Sequence, residues 1–240
     1  MESFPKLVEF YNNNIIDYVE LYIIPNSFNS DNLEILQQLP LIFHAPDFIG
    51  GYNVRIRNNL FDNVVDTIDK FIDFLGNKEM IVHPGYDSKE YITSEETIKS
   101  FSILKDNDYN IIIENMPKIG ISKDTFLFGT TRQELQEVIS EIDCKFCLDF
   151  GHAICSSNYH KINYMEFITD LMKLDPFMFH ISDGYLNSLE DNHLSFTEGD
   201  FPIKELVNLV DNKFITLETP KKNDFMGLSE DLKNINILTH

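Results

Sequence analysis

The chain of 240 residues has no tryptophan, only three cysteines, and 19 lysines and arginines against 39 aspartates and glutamates. Each scarcity excludes something. An odd trio of cysteines makes no disulfide framework. Cys144 and Cys147 are spaced C-x-x-C, but residues three apart on a strand face opposite ways, so the pair is expected to pack and not to chelate one ion. The formal net charge of −20 repels a phosphate backbone at long range, the reverse of the basic footprint of nucleic-acid binders. An anionic substrate would need local positive charge, most simply from metal ions. No apolar run reaches the ~18 residues of a membrane span, and residues 1–25 lack a basic start followed by an apolar block. A soluble, cytoplasmic protein without a membrane partner is expected.

What is present is a globular composition, 43% hydrophobic and 12% aromatic with 20 phenylalanines, enough to bury a core. With no linker or low-complexity block, residues 1–240 are expected to form a single domain. One pattern recurs along it: three mostly apolar residues, then a His, Asp or Glu. It reads LIF-His44, MIV-His83, III-Glu114, FCL-Asp149, FMF-His180 and ITL-Glu218. These positions are separated by the roughly 30 or more residues that a strand, a helix and two loops require.

Helical segments fill the intervals. Residues 64–75 place Val64, Ile68, Phe71, Ile72 and Leu75 on one face, and Thr93-x-x-Glu96 and Thr131-x-x-Glu134 have the form of capping boxes. Two more helices are predicted over 163–174 and 202–210. Apolar strands alternating with amphipathic helices mean a parallel sheet covered by helices. No GxGxxG or P-loop follows a strand, while six strands end on polar residues that could share one mouth. The fold class predicted is therefore an α/β TIM-type barrel. YVELYII (18–24) supplies a seventh strand, preceded by an amphipathic helix over 1–14. The eighth strand is missing from the amino end. Either the barrel stays open, which is the expectation, or NINIL (234–238) fills the gap.

Each polar strand end has a bland explanation by itself. A lone His after a strand is commonly a hydrogen-bonded structural group, and a lone Asp or Glu commonly caps a helix. Three carboxylates and three imidazoles at one mouth are different, because such a cluster is costly unless cations hold it together. Imidazole and carboxylate without thiolate suit Zn²⁺, Mn²⁺ or Co²⁺. His152, three past Asp149, is expected at the start of a loop, turned back over the mouth. Asp191-x-His193 would be an ordinary solvated pair in isolation, but it follows Asp183 by eight residues and precedes Glu198-Gly199.

The order HAP, HPG, ENM, LDFGH, FHISD, DNH…EG and LETP resembles endonuclease IV (AP endonuclease family 2), within the xylose-isomerase-like barrel superfamily. The resemblance runs from about His44 to Pro220. It implies a single-metal set of Glu114, Asp149, His180 and Glu218 shared across the superfamily, with His152 contacting substrate. The additions typical of endonuclease IV are His44, His83, Asp191 and His193, which imply up to three Zn²⁺ ions. Glu114 would bridge an ion held by His44 and His83 and another held by Asp149, His180 and Glu218. His152, Asp191 and His193 would hold the third. The activity implied is phosphodiester hydrolysis of the DNA-repair type, with water activated for attack on phosphorus. The chain departs from the family at the mouth: the loop PNSFNSDN carries no Lys or Arg, and an aromatic wedge is replaced by Asp47, with Phe48 and Tyr52 as possible substitutes.

Two alternatives follow from the same residues. A sugar or sugar-phosphate isomerase or epimerase would use one Mn²⁺, Co²⁺ or Mg²⁺, with Glu114 and Glu218 moving a proton beside a carbonyl. A binding or regulatory protein on a decayed barrel would have lost ligands, and none is lost. The expected substrate is a phosphoester or a sugar phosphate, with DNA disfavoured by charge.

Overall fold

The computed structural model describes residues 4–47, 51–120, 124–220 and 225–239; Phe48, a candidate wedge, lies outside them. The first half runs α1 (Phe4–Asn12), β1 (Val19–Tyr22), α2 (Ser30–Leu33), β2 (Leu41–His44), α3 (Asn59–Leu75), β3 (Glu79–Val82), β4 (Tyr86–Asp87), α4 (Glu95–Asp106) and β5 (Asn110–Glu114). The second runs β6 (Phe126–Leu127), α5 (Arg132–Ile142), β7 (Lys145–Asp149), α6 (Phe150–His160), α7 (Tyr164–Leu171), β8 (Met178–Ile181), α8 (Ile203–Val207), β9 (Phe214–Leu217) and α9 (Phe225–Thr239).

Seven strands form one sheet in the order β1-β2-β3-β5-β7-β8-β9, every neighbouring pair parallel. The sheet curls into a nearly closed TIM-type barrel surrounded by helices, as expected. β4 and β6 pair antiparallel in a separate two-stranded ribbon.

Side-chain alternation divides the barrel into an inner and an outer layer. Ile42, Ile81, Ile112, Cys147 and Met178, one from each of β2, β3, β5, β7 and β8, meet in an inner cluster. Two residues further along each strand, on the same face, stand His44, His83, Glu114, Asp149 and His180. The intervening residues, including Phe43, Val82, Ile113, Leu148 and Phe179, are buried in the larger core. The C-x-x-C pair splits as alternation requires: Cys147 joins the inner cluster, Cys144 packs against the outer core, and both thiols are free.

Local signals set the helix ends. Asn58 accepts hydrogen bonds from the Leu60 and Phe61 amides to open α3, which closes on left-handed Gly76. The Thr131–Glu134 capping box forms at α5. The Thr93–Glu96 box does not. α4 begins after Ser94 without a side-chain cap, and Glu96 pairs with Lys99 at 3.0 Å instead. Tyr52 is 5% exposed and stacks on Phe61, so it offers no wedge at the mouth.

The carboxyl end corrects the NINIL alternative. Residues 234–238 lie within α9, because Leu228, Asp231, Ile235 and Leu238 recur at helical spacing and line one cavity of about 620 Å³ with Leu7 and Phe10 of α1. β1 and β9 are the sheet's edges, and side chains bridge the seam between them: Tyr18 Oη lies 2.6 Å from Thr216 Oγ1. Among the described residues, no helix is long and apolar enough to cross a membrane.

Ile112 is fully buried at the centre of the inner layer. Ile112→Ala is expected to destabilise the fold by about 2–5 kcal/mol, while the same truncation at half-exposed Ile162 stays within about 0.5 kcal/mol. Chemical denaturation of the two variants checks the difference.

Candidate metal centre

At the carboxyl ends of the strands the inner face changes from apolar to ionisable within two residues. Glu114, the last residue of β5, is fully buried and lies at the middle of the change. Its Oε2 is 3.0 Å from His83 Nε2 and 3.4 Å from His44 Nε2; its Oε1 is 3.2 Å from His152 Nδ1 and 3.3 Å from His180 Nδ1. Burial opposes its charge, but the surrounding imidazoles overcome that and hold the carboxyl well below its ordinary range.

All nine residues singled out from sequence come together here. They form three groups whose ligand-capable atoms lie within 4.8 Å of one another: His44, His83 and Glu114; Glu114, Asp149, His180 and Glu218; and His152, Asp191 and His193. His83 and Glu218 stand one residue beyond the ends of β3 and β9, and His180 one residue before the end of β8.

Hydrogen bonds orient the rings. His44 Nδ1–H donates to the Ala45 carbonyl at 2.8 Å, leaving Nε2 toward Glu114. His193 Nδ1–H donates to the Glu218 carbonyl at 3.1 Å, leaving Nε2 at 2.7 Å from Asp191 Oδ2. His180 Nδ1 is 3.0 Å from Glu218 Oε1. His152 lies in the first turn of α6, not in a loop. Its side chain is folded back, with Nδ1 at 2.9 Å from the Asn115 carbonyl and Nε2 at 3.2 Å from Asp191 Oδ2.

Asp149 meets both of its readings, on different oxygens. Oδ1 caps α6 by accepting from the His152 amide, whereas Oδ2 is buried with no hydrogen-bond partner. Burial, then the charges of Glu218, Asp191 and Glu114 against that of His152, pushes this carboxyl up to about 8. A buried acceptor without a donor, aimed among other carboxylates, fits a cation. The donor set of imidazole and carboxylate oxygen suits the same conclusion.

Five further residues shape the centre. Asn115 clamps Asp149, donating from Nδ2 to its carbonyl at 2.9 Å and accepting from its amide at 2.8 Å. Asp183, 1% exposed, accepts from the amides of Gly184, Thr197, Gly199 and Phe201, and so folds the loop that presents Asp191 and His193. Gly199 is required there, since a Cβ would fall 2.5 Å from Asp183 Oδ1 and 2.2 Å from the Gly184 carbonyl oxygen. Glu20 on β1 reaches His180 Nε2 from beneath, and the Thr216 hydroxyl on β9 donates to Glu20. For Glu20 the signal was available: a lone carboxylate inside the apolar run YVELYII. Asp183 gave no signal of its own, because its four partners are backbone amides.

The mouth is a cavity of about 640 Å³ whose lining includes Tyr22, Asp47 and Glu190 and, of the cluster, His44, His83, His152, Asp191, His193 and Glu218, with Glu114, Asp149 and His180 buried behind them. No Lys or Arg lines it among the described residues.

The chain belongs to the xylose isomerase-like TIM barrel family, whose match spans residues 39–236. Among solved structures it is similar to endonuclease IV from Thermus thermophilus, at 16% identity and a TM-score of 0.67, over 98% of this chain and 93% of that one. A xylose isomerase domain-containing protein from Salmonella typhimurium is similar at 12% identity and a TM-score of 0.67, over 99% and 93%. The 3-keto-D-glucoside 4-epimerase of E. coli is similar at 12% identity and a TM-score of 0.59, over 100% and 95%. At such identities the likeness is one of fold. No curated protein matches the sequence at a significant level.

Two outcomes follow from this geometry. His44 and His193 are each raised to about 9, the nearby carboxylates outweighing burial, and Asp149 to about 8. Groups that bind protons more tightly when folded stabilise below their unfolded values and lose that contribution as pH rises through the folded ones. Chelator-treated protein is therefore expected to lose thermal stability steadily from about pH 6.5 to 9. A flat or rising melting profile over that window contradicts the cluster as described. Secondly, Asp183→Ala leaves four amides without their acceptor, at a cost of about 1–3 kcal/mol each. Hydrogen exchange at Gly184, Thr197, Gly199 and Phe201 is expected to accelerate at least about tenfold, with Ile112 and its strand neighbours unchanged.

Proposed function

We propose that the protein is a metal-dependent phosphoester hydrolase of the endonuclease IV type. The observation that carries this is the third group, His152, Asp191 and His193. A sugar isomerase needs only the inner set of Glu114, Asp149, His180 and Glu218, and has no use for an Asp-x-His held over the mouth by a dedicated loop.

The residues would divide the work as follows. Glu114 presents one oxygen to His44 and His83 and the other to His180 and His152, an arrangement suited to bridging two ions. Asp149 Oδ2 and Glu218 complete the inner set. Divalent ions bound here, Zn²⁺ by the donor chemistry, would supply Lewis-acid charge and ready deprotonation of water near neutral pH. Glu218, held down to about 2 as the imidazoles of His180 and His193 offset its burial and Glu114, stays ionised and accepts protons only transiently. His152 and His193 line the cavity beside the place a phosphoryl group would occupy. The positive charge of ions bound here would offset the acidity of the surface only locally, since exposed charges are screened beyond about 8–10 Å at ordinary ionic strength.

The size and charge of the mouth support one substrate class over another. With Asp47 and Glu190 at its rim and no basic side chain among the described lining residues, it suits a small phosphoester better than the backbone of intact duplex DNA. The same observation favours a second reading, isomerisation or epimerisation of a neutral sugar at the inner set, with Glu114 and Glu218 flanking one ion.

Metal content separates the two. The purified protein is expected to bind three Zn²⁺ per chain, and His193→Ala two, with the inner set still loaded. Loss of that ion should lower turnover of a small phosphodiester by roughly a hundredfold or more, given the several kcal/mol that one ion contributes. One ion per chain, with sugar isomerisation unaffected by His193→Ala, overturns the hydrolase in favour of the isomerase. Binding to an abasic-site duplex is expected to be weak at physiological salt and any cleavage to favour low salt; tight binding with a steep salt slope would establish a nucleic-acid surface instead.

A further inference from the structure

Glu20 occupies a place the other strands treat differently. On β2, β3, β5, β7 and β8 the inner layer beneath the cluster is Ile42, Ile81, Ile112, Cys147 and Met178. On β1 it is a carboxylate whose side chain is 10% exposed. Glu20 Oε2 lies 2.9 Å from His180 Nε2 and 2.8 Å from Thr216 Oγ1, and Thr216 Oγ1 lies 2.6 Å from Tyr18 Oη.

The protons in this chain have one consistent arrangement. A carboxylate only accepts, so His180 Nε2 and the Thr216 hydroxyl both donate to Glu20. Thr216 has then spent its proton, and Tyr18 donates to it. With Nε2–H committed to Glu20, Nδ1 is the nitrogen left to face Glu114 at 3.3 Å and Glu218 at 3.0 Å, donating to them in the metal-free protein and free to ligate once an ion displaces that proton. A metal-binding imidazole whose far N–H is held by a carboxylate is fixed in ring orientation and raised in basicity.

We propose that Glu20 is a positioning residue for the inner metal set, locking His180 as an Nδ1 ligand through Nε2–H, and that Thr216 and Tyr18 hold Glu20 in place across the open seam of the barrel. This rests on the inner set binding a metal; it does not depend on whether the reaction is hydrolysis or isomerisation. The seam thereby gains a function. Where an eighth strand would close a barrel with backbone hydrogen bonds, side chains of β1 and β9 close this one and orient a ligand.

The test uses the full chain loaded with Zn²⁺. In a long-range ¹H–¹⁵N spectrum of the imidazoles, His180 is expected to carry its proton on Nε2 with the metal on Nδ1. Ligation through Nε2 overturns the proposal without any variant. In chelator competition, Glu20→Ala is expected to weaken the inner ion about 10- to 100-fold with the number of ions at saturation unchanged. Glu20→Gln, which keeps an oxygen acceptor for Nε2–H, should recover most of the loss. Unchanged affinity in Glu20→Ala overturns the proposal, and one ion fewer at saturation makes Glu20 a ligand and overturns it as well. Wild-type protein that binds no Zn²⁺ overturns the metal reading itself, an outcome distinct from either. If Glu20→Ala fails to fold, the wild-type spectrum still decides.

Discussion

One buried carboxylate organises this protein. Removing Glu114 from water costs several kcal/mol if nothing compensates it. Four imidazoles at 3.0–3.4 Å do so. Those imidazoles come from β2, the end of β3, α6 and β8, so the charge is satisfied only when several strands and a helix are in register together. The rings of His44, His152 and His180 are in turn fixed by a carbonyl or a second carboxylate, which spreads the requirement outward to Ala45, Asn115, Glu218 and Glu20.

The layering of the barrel makes the cluster possible at tolerable cost. The apolar inner cluster lies directly beneath it, and alternation sends Phe43, Val82, Ile113, Leu148 and Phe179 outward to pack under the helices. The polar layer is thus confined to one end, next to a cavity open to solvent, while the other layers bury hydrocarbon. Seven strands leave a seam, and there the layering changes: Glu20 and Thr216 take positions that are apolar elsewhere. Helices α1 and α9 flank the cavity at this seam.

The loop from residue 183 to 201 is built by the opposite device, one side chain gathering backbone. Asp183 collects four amides, and Gly199 permits the close approach. Within the loop His193 is held in the left-handed region at φ 45°, a conformation that costs a non-glycine residue on the order of 1–3 kcal/mol. The hydrogen bond from its Nδ1 to Glu218 and the approach of its Nε2 to Asp191 sustain it.

The barrel and its polar end were legible in the sequence because both are periodic. Apolar triplets ending on His, Asp or Glu at intervals long enough for a helix leave few architectures, and strand alternation then places those residues on one side with their apolar predecessors. C-x-x-C resolved correctly for the same reason. Local chemistry was legible at Thr131, which forms its capping box, and not at Thr93, where α4 begins after Ser94 and Glu96 pairs with Lys99. NINIL alternates like a strand but lies within α9, where Leu228, Asp231, Ile235 and Leu238 recur at helical spacing along the cavity at the seam, so tertiary context outweighs propensity. What only the tertiary structure decided is which groups face each other: Oδ1 of Asp149 on an amide and Oδ2 without a donor, His152 inside a helix, Asp183 beneath its loop, and Glu20 against His180 across 160 residues. These pairings depend on distances across the barrel, which no local pattern encodes.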